Sequence, residues 1–492
     1  MSISRGVSRP LHSIRYQRIN KMPPTVALLV WLILLLALLI FDPAKSSPTS
    51  VALWMPLIWM FLILSRLPAQ WLGGDVGQVA QALEEGNPLD RTIFSVLIVW
   101  AMCVLISRSF KWDEFFVRNR LLIAFLFFAL VSVVWSDFPF VSFKRWFRDL
   151  GNYLAILVVL SDAHPLEAVR TFLRRLYYLL IPLSILLVKY YAQLGKHYSI
   201  WTGAAEYVGV ATSKNTLGAL CLFSGIYFFW DTVTRWSERK ERQTKRIILV
   251  NVTFLAMTIW LLVMSQSATS RVCLIIGCLV ILMAHSESNK RHPNLLKVLM
   301  PTCFFGYLIL AFGLDLNSNF AGAVGRDPSF TGRTNIWQAV LSTNTNPLIG
   351  TGYSSFWLGS RLSQVWRLAG PVNESHNGYL EIYLNLGIIG LVLLAALLIS
   401  SYKATCRNLT EFSSLGSLSA ALWTIALFYN MTEASFTPAF MCLTFLLGTI
   451  AIPQATPMHS VPGMDLRSKF RPSESLRHSR LMNRSPGAGN RF

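Results

Sequence analysis

Apolar residues in this chain come in long runs and do not alternate with polar ones. Allowing for tilt and flanking residues, the runs approach the roughly 17 to 25 residues a helix needs to cross a bilayer. They fall near 24–41, 92–107, 121–136, 149–161, 176–192, 213–231, 247–264, 270–284, 297–314, 382–400, 413–429 and 437–452, with a shorter run at 51–64. The pattern predicts an all-α, polytopic helical bundle of about twelve transmembrane helices. Lys and Arg collect between the runs, in 108–120 (Arg108, Lys111, Arg118, Arg120), in 232–246 (Arg235, Arg239, Lys240, Arg242, Lys245, Arg246), in 285–297 and after residue 452. Such clusters mark cytoplasmic segments. Alternation then holds from the end of the chain back to residue 92. Residues 1–22 are also basic, and placing them in the cytoplasm leaves room for one full crossing before residue 92. The expectation is therefore that 51–64 is re-entrant or interfacial, giving twelve spans with both ends inside. Thirteen spans with an outer N-terminus is the alternative.

Composition strengthens the membrane reading. The 492 residues are 53% hydrophobic and 14% charged, against about 25% charged in a soluble domain, and mean hydropathy is +0.47. A water-soluble domain is excluded. The net charge of +20 has to reside in loops and tails, so it does not point to nucleic-acid binding. The run after the basic N-terminus has no small-residue cleavage site and is expected to stay as a first span, not a signal peptide. Residues 453–492, rich in Ser, Pro, Gly and Arg, are expected to be a disordered basic cytoplasmic tail held at the anionic inner leaflet. The seven cysteines form no CxxC pair and the eight histidines are scattered, so no metal site or other cofactor is expected.

The long segment of about 315–380 falls on the outer face in this topology. Its aromatic content (Trp337, Tyr353, Phe356, Trp357, Trp366) argues for a folded, functional loop. Residues Thr334–Leu341 suit a short amphipathic helix ending near Asn344 to Pro347. Polar and basic residues stand at the outer beginnings of inward-running spans: Arg145 and Arg148, Lys214 and Asn215, Arg271, and His376 with Asn377. Ser213, Ser270 and Ser375 are the expected N-caps. Helix N-termini carry partial positive charge and free N–H groups, so several converging at one face make a site for an anion such as phosphate or diphosphate. Snorkelling to headgroups is an equal reading for Arg148 and Lys214. Arg271 enters a span, which is costly and favours function. His376, just ahead of a positive helix end, is expected to be a neutral imidazole able to accept a proton.

The ordered pieces Gly332-Arg333-Thr334-Asn335-Ile336-Trp337, Asn346-Pro347-Leu348-Ile349-Gly350-Thr351-Gly352-Tyr353, Ser375-His376-Asn377-Gly378-Tyr379-Leu380-Glu381 and Gly387-Ile388-Ile389-Gly390 resemble the O-antigen ligase and polysaccharide polymerase superfamily. Ser132–Ser136, Gly209–Asn215 with Gly218, and Asn430–Glu433 agree. Over about residues 92–450 the resemblance is greatest to exopolysaccharide-production proteins of the ExoQ type. It implies a GT-C-like enzyme of the bacterial inner membrane (residues 23–452) with a large periplasmic loop. Such an enzyme takes a glycan from an undecaprenyl-diphosphate-linked oligosaccharide and passes it to an acceptor glycan without a metal. Its partners would be these substrates, the lipid bilayer and other polysaccharide assembly and export proteins.

Carried over residue by residue, the family's diphosphate-binding arginines match Arg271 and Arg333, and its loop histidine matches His376. Arg145, Lys214, Asn215, Asn377, Trp337, Tyr353 and Glu433 are the expected substrate contacts. Ser213 departs from the commoner His-Lys-Asn form, which puts a direct role for that position in doubt. Acceptor choice is open between polymerase and ligase. A transporter or flippase would predict broken or charged span centres and a repeat relating the two halves, and neither is visible. A non-catalytic scaffold is the remaining alternative.

Overall fold

In a computed structural model the described residues are 22–42, 50–73, 86–198, 203–292, 294–309, 333–411 and 413–436. The expected span 437–452, the tail 453–492 and the 315–332 part of the outer loop lie outside them. The described residues are helical almost throughout, with one two-stranded antiparallel sheet, Lys196–Tyr198 with Ala205–Tyr207. Among the described residues six helices are long and apolar enough to cross a membrane, seven if the bent pair Trp112–Arg118 and Arg120–Trp135 is one span, and four shorter apolar helices accompany them. This is an all-α polytopic membrane protein.

Charge and burial explain where the helices differ from the apolar runs. The helix Pro139–Leu160 starts ten residues before the run at 149, because Lys144, Arg145, Arg148 and Asp149 interrupt its hydropathy without interrupting its backbone. Its last seven residues, Leu154–Leu160, are all buried. Pro165–Tyr190 and Lys214–Arg235 are mostly buried, whereas Arg242–Ser265 and Ala268–His285 present rows of exposed Ile, Leu and Val toward lipid.

The first helix packs against a later one in the opposite sense. Pro24–Ile40 lies antiparallel to Pro165–Tyr190. At one end the Tyr191 hydroxyl donates to the Pro24 carbonyl (3.1 Å), and at the other a buried Arg174–Asp42 ion pair closes at 2.8 Å. Tyr191 leads straight into the small sheet, so the start of the first helix shares that sheet's face. The short helix Trp54–Leu64 returns toward the same face. Its inner side is buried, with the Trp59 indole donating to Asn152 (2.6 Å), and beyond it Arg66 donates to the Leu194 and Ala211 carbonyls.

Two motif glycines, one that breaks a helix and one in the loop it receives, join the two. Gly378–Glu411 is broken at Gly387, whose φ of 65° lies in the left-handed region. The Ile388 and Ile389 N–H groups turn outward and donate to Pro347 and Leu348 carbonyls (2.9 and 3.1 Å). Gly352 (φ 94°) donates to the Asn385 carbonyl (2.9 Å). A Cβ at Gly387 would meet the Leu348 carbonyl oxygen at 2.3 Å, and one at Gly352 would meet Ser136 Cβ at 2.7 Å. The paired motifs PLIGTGY and GIIG are thus a splint between loop and helix.

Candidate functional site

A cavity of about 1580 Å³ opens at the face carrying the sheet. Small residues allow its walls to meet. Gly218 lies so close to Ser267 that a Cβ there would sit 2.5 Å from the Ser267 Cβ. This brings the Lys214–Arg235 helix and the Ala268–His285 helix together at their N-terminal ends, and Lys214 and Arg271 with them. Gly378 packs against Asn430, where a Cβ would fall 2.0 Å from Oδ1, and its N–H donates to the Asn430 carbonyl (2.8 Å). That contact sets His376 beside Glu433. The helix Arg333–Leu341 supplies Arg333, Asn335 and Ile336, and Leu368–Val372 closes the remaining side.

Lys214, Arg271, Arg333 and His376 all line the cavity, together with Glu206 and Glu433. Glu433 is buried and central. Its Oε1 pairs with Arg333 Nη2 (2.9 Å), and its Oε2 accepts from Asn215 Nδ2 (3.2 Å) and lies 3.5 Å from His376 Nδ1. Lys214 Nζ pairs with Glu206 (2.8 Å). Arg271 differs from these: its buried Nε has no acceptor among the described residues. Thr269 and Thr432 share a hydroxyl hydrogen bond (2.8 Å) that ties the Arg271 helix to the turn carrying Glu433.

His376 overturns the neutral-imidazole expectation. Its backbone is left-handed (φ 50°), uncommon for a side-chain-bearing residue. Nδ1 lies 2.9 Å from Glu374 Oε1, out of line for a good hydrogen bond. Burial disfavours its charge, but the Glu374 and Glu433 carboxylates outweigh that and raise its pKa to about 9. Helix-end repulsion, the basis of the expectation, is the weaker field. Glu374, His376 and Glu433 present donor atoms within 4.8 Å of one another. A cation there would have to displace the Arg333 guanidinium and the Asn215 amide from Glu433, so the cluster reads as an ion-pair network.

The remaining expected contacts do not line the cavity. Arg145 donates to the Ser354 carbonyl (2.5 Å), and the Tyr353 hydroxyl to Asp149 (2.9 Å). Trp337 donates to the Ser375 carbonyl (2.9 Å), and Asn377 caps its helix by accepting from Tyr379 and Leu380 N–H groups (3.0 and 3.1 Å). Asn377 thus takes the cap expected of Ser375, and Ser267 that expected of Ser270, while Ser213 caps as expected. Sequence reasoning missed Glu206 and Glu374. The second stands two residues before His376, which was a usable signal, whereas Glu206 gave none.

These features define a helical membrane protein with a deep, cation-lined chamber at one face, suited to an anionic ligand. Residues 252–395, which contain Arg271, Arg333 and His376, match the O-antigen ligase family. The chain is also similar to the exopolysaccharide production protein ExoQ of Rhizobium meliloti (strain 1021), at 27% identity over 302 residues. That match covers 58% of this chain and 65% of the relative, just under two thirds of its length. The resemblance to the O-antigen ligase and polysaccharide polymerase superfamily holds in both comparisons.

Proposed function

We propose that this protein is a polysaccharide polymerase that joins undecaprenyl-diphosphate-linked oligosaccharide repeat units into exopolysaccharide. The chamber faces the periplasm from a bacterial inner membrane. The observation that carries this reading is the convergence of Lys214, Arg271, Arg333 and His376 on one cavity, with the Arg271 Nε left without an acceptor among the described residues. A diphosphate supplies the acceptor that this group lacks. The reversed first helix supports the thirteen-span arrangement, with the N-terminus on the chamber's side.

The acceptor hydroxyl oxygen attacks the anomeric carbon of the lipid-linked sugar, forming the new glycosidic bond as the bond to the diphosphate breaks. Charge grows on the departing phosphate oxygens, and fixed guanidinium groups aimed there lower the barrier. Glu433 pairs with Arg333 and Glu206 with Lys214, and diphosphate oxygens compete with these carboxylates for the two cations. When Arg333 and His376 turn to the diphosphate, the Glu433 carboxylate is released beside the acceptor and receives its proton. His376, charged at neutral pH, acts on the leaving group and orients the acceptor. In-line attack inverts the anomeric centre.

The test uses a strain lacking the gene, complemented at matched membrane levels with wild type, Arg271→Ala, Arg333→Ala or His376→Ala. Loss of polymer with single repeat units accumulating on the carrier is the expected result. Full-length carrier-bound chains would instead make it a ligase, the reading favoured by the family description. Normal polymer from all three variants would refute the site.

A further inference from the structure

Glu381 belongs to the same motif as His376, yet it does not line the cavity and has no role in the chemistry above. It is buried in the first turn of the Gly378–Glu411 helix, and its carboxylate accepts four hydrogen bonds. Oε1 takes the Trp357 indole N–H (2.7 Å) and the Asn385 amide (3.2 Å). Oε2 takes both the Ser375 hydroxyl (2.9 Å) and the Ser375 backbone N–H (3.2 Å). Ser375, fully buried, is held from its other side by the Trp337 indole on its carbonyl (2.9 Å). The next residue is His376, in its left-handed conformation. Asn385 in turn accepts from the Ser355 and Phe356 N–H groups (3.0 and 3.2 Å), so the clamp is anchored in the loop that follows the GTGY turn.

We propose that Glu381 is a positioning residue: clamped by Trp357 and Asn385, its carboxylate fixes Ser375 and so holds the His376 imidazole against the chamber wall between Glu374 and Glu433. A buried carboxylate surrounded only by donors is the arrangement this requires, since each donor would otherwise be left unsatisfied. A left-handed residue without glycine's freedom persists only where its surroundings over-determine it. Here the determinants are the two indoles and the carboxylate on Ser375. The proposal rests on the functional reading above for its catalytic meaning, but the geometry it asserts does not depend on activity.

The experiment reads His376 directly. Full-length protein in lipid nanodiscs is treated with diethyl pyrocarbonate across pH 6 to 9.5 (a range of about the interval between the ordinary and raised histidine pKa), and carbethoxylation of His376 and His197 is followed by mass spectrometry. Only the neutral imidazole reacts. In wild type the Glu374 and Glu433 carboxylates should place the His376 midpoint well above the ordinary value, at about 9. Glu381→Gln places an amide donor against the donors of Ser375 or Trp357, and Trp357→Phe keeps the ring but removes its N–H. If either frees His376 toward an ordinary pKa near 6.5, its neutral fraction at pH 7.5 rises about 30-fold, with His197 unchanged as the internal control. Polymer formation should fall on the order of 10- to 100-fold, as for other positioning contacts, and Glu381→Asp should recover part of it.

An unchanged His376 titration in folded Glu381→Gln and Trp357→Phe protein would overturn the proposal. So would a changed His197 rate in parallel with His376, which signals general loosening. If His376 shifts as expected while His376→Ala still makes polymer normally, the clamp stands and the proposed catalytic role falls.

Discussion

Arg333 and Glu433, one hundred residues apart in the chain, meet at 2.9 Å across the chamber, and the carboxylate is the more buried of the two. A charge buried with several partners is costly to leave alone. Arg333→Ala should therefore lose activity by on the order of 100-fold or more and also lower the melting temperature of the purified protein. Glu433→Gln in the same chain should restore much of the melting temperature without restoring activity. Coupling of about 0.5–3 kcal/mol in a double-mutant thermal unfolding cycle would register the contact, and strict additivity would deny it.

Stability should depend on pH through His376. Its pKa is higher in the folded protein, about 9, than the ordinary value, so its contribution is full below about pH 6.5 and is lost as pH rises through about 9. The melting temperature of wild type should fall across that window relative to His376→Gln, which lacks the group. Parallel curves for the two proteins would contradict the ion-pair geometry.

Lys214 and Glu206 offer a gentler test. Their pair is partly exposed, and such pairs contribute little to stability, about 0–1 kcal/mol. Glu206→Gln should leave the melting temperature unchanged while tightening inhibition by inorganic pyrophosphate a few-fold, because Lys214 is released. Lys214→Gln should weaken it, and the difference should shrink at high salt.

The glycine positions separate structure from chemistry. Gly387→Ala forces a Cβ into left-handed backbone and against Leu348, and should cost at least about 2 kcal/mol or abolish accumulation in the membrane. Gly306→Ala, with open space around it, should be neutral or slightly stabilising. Membrane yield and thermal melting of the two variants decide the matter.

The direction of the first helix can be read by labelling. In a cysteine-free background, Met22→Cys and Tyr198→Cys should react with an impermeant maleimide from the same side of the membrane, and Lys240→Cys from the other. Labelling of Met22→Cys from the Lys240 side would restore the topology with a cytoplasmic N-terminus.

Much of this was legible in the sequence, and the exceptions have identifiable causes. Apolar runs marked most helices because lipid imposes length and composition. The cations Lys214 and Arg271 were visible because each stands at a helix beginning, and Arg333 because its string Gly332–Trp337 resembles the family's motif. Of their carboxylate partners, Glu206 was not visible and Glu433 was named only as a substrate contact, since its meeting with Asn215 and Arg333 depends on Gly378, Asn430 and the Thr269–Thr432 contact, none of which leaves a periodic trace. The antiparallel packing of the first helix on Pro165–Tyr190 was not legible because the charge rule weighs only loops, whereas the Arg174–Asp42 pair and the Tyr191–Pro24 hydrogen bond hold this helix from its ends. Arg145 and Tyr353 carried the right chemistry in the wrong place: they brace the loop and the Pro139–Leu160 helix against one another.

The chamber's volume of about 1580 Å³ exceeds the roughly 300–1,000 Å³ that encloses one drug-sized ligand. On the proposed polymerase reading this volume leaves room for a lipid-linked donor and the end of a growing chain together, so that neither would have to leave before the other enters. Initial-rate kinetics should accordingly be sequential, with intersecting double-reciprocal lines, and a product chain can keep its seat while spent carrier is exchanged for the next.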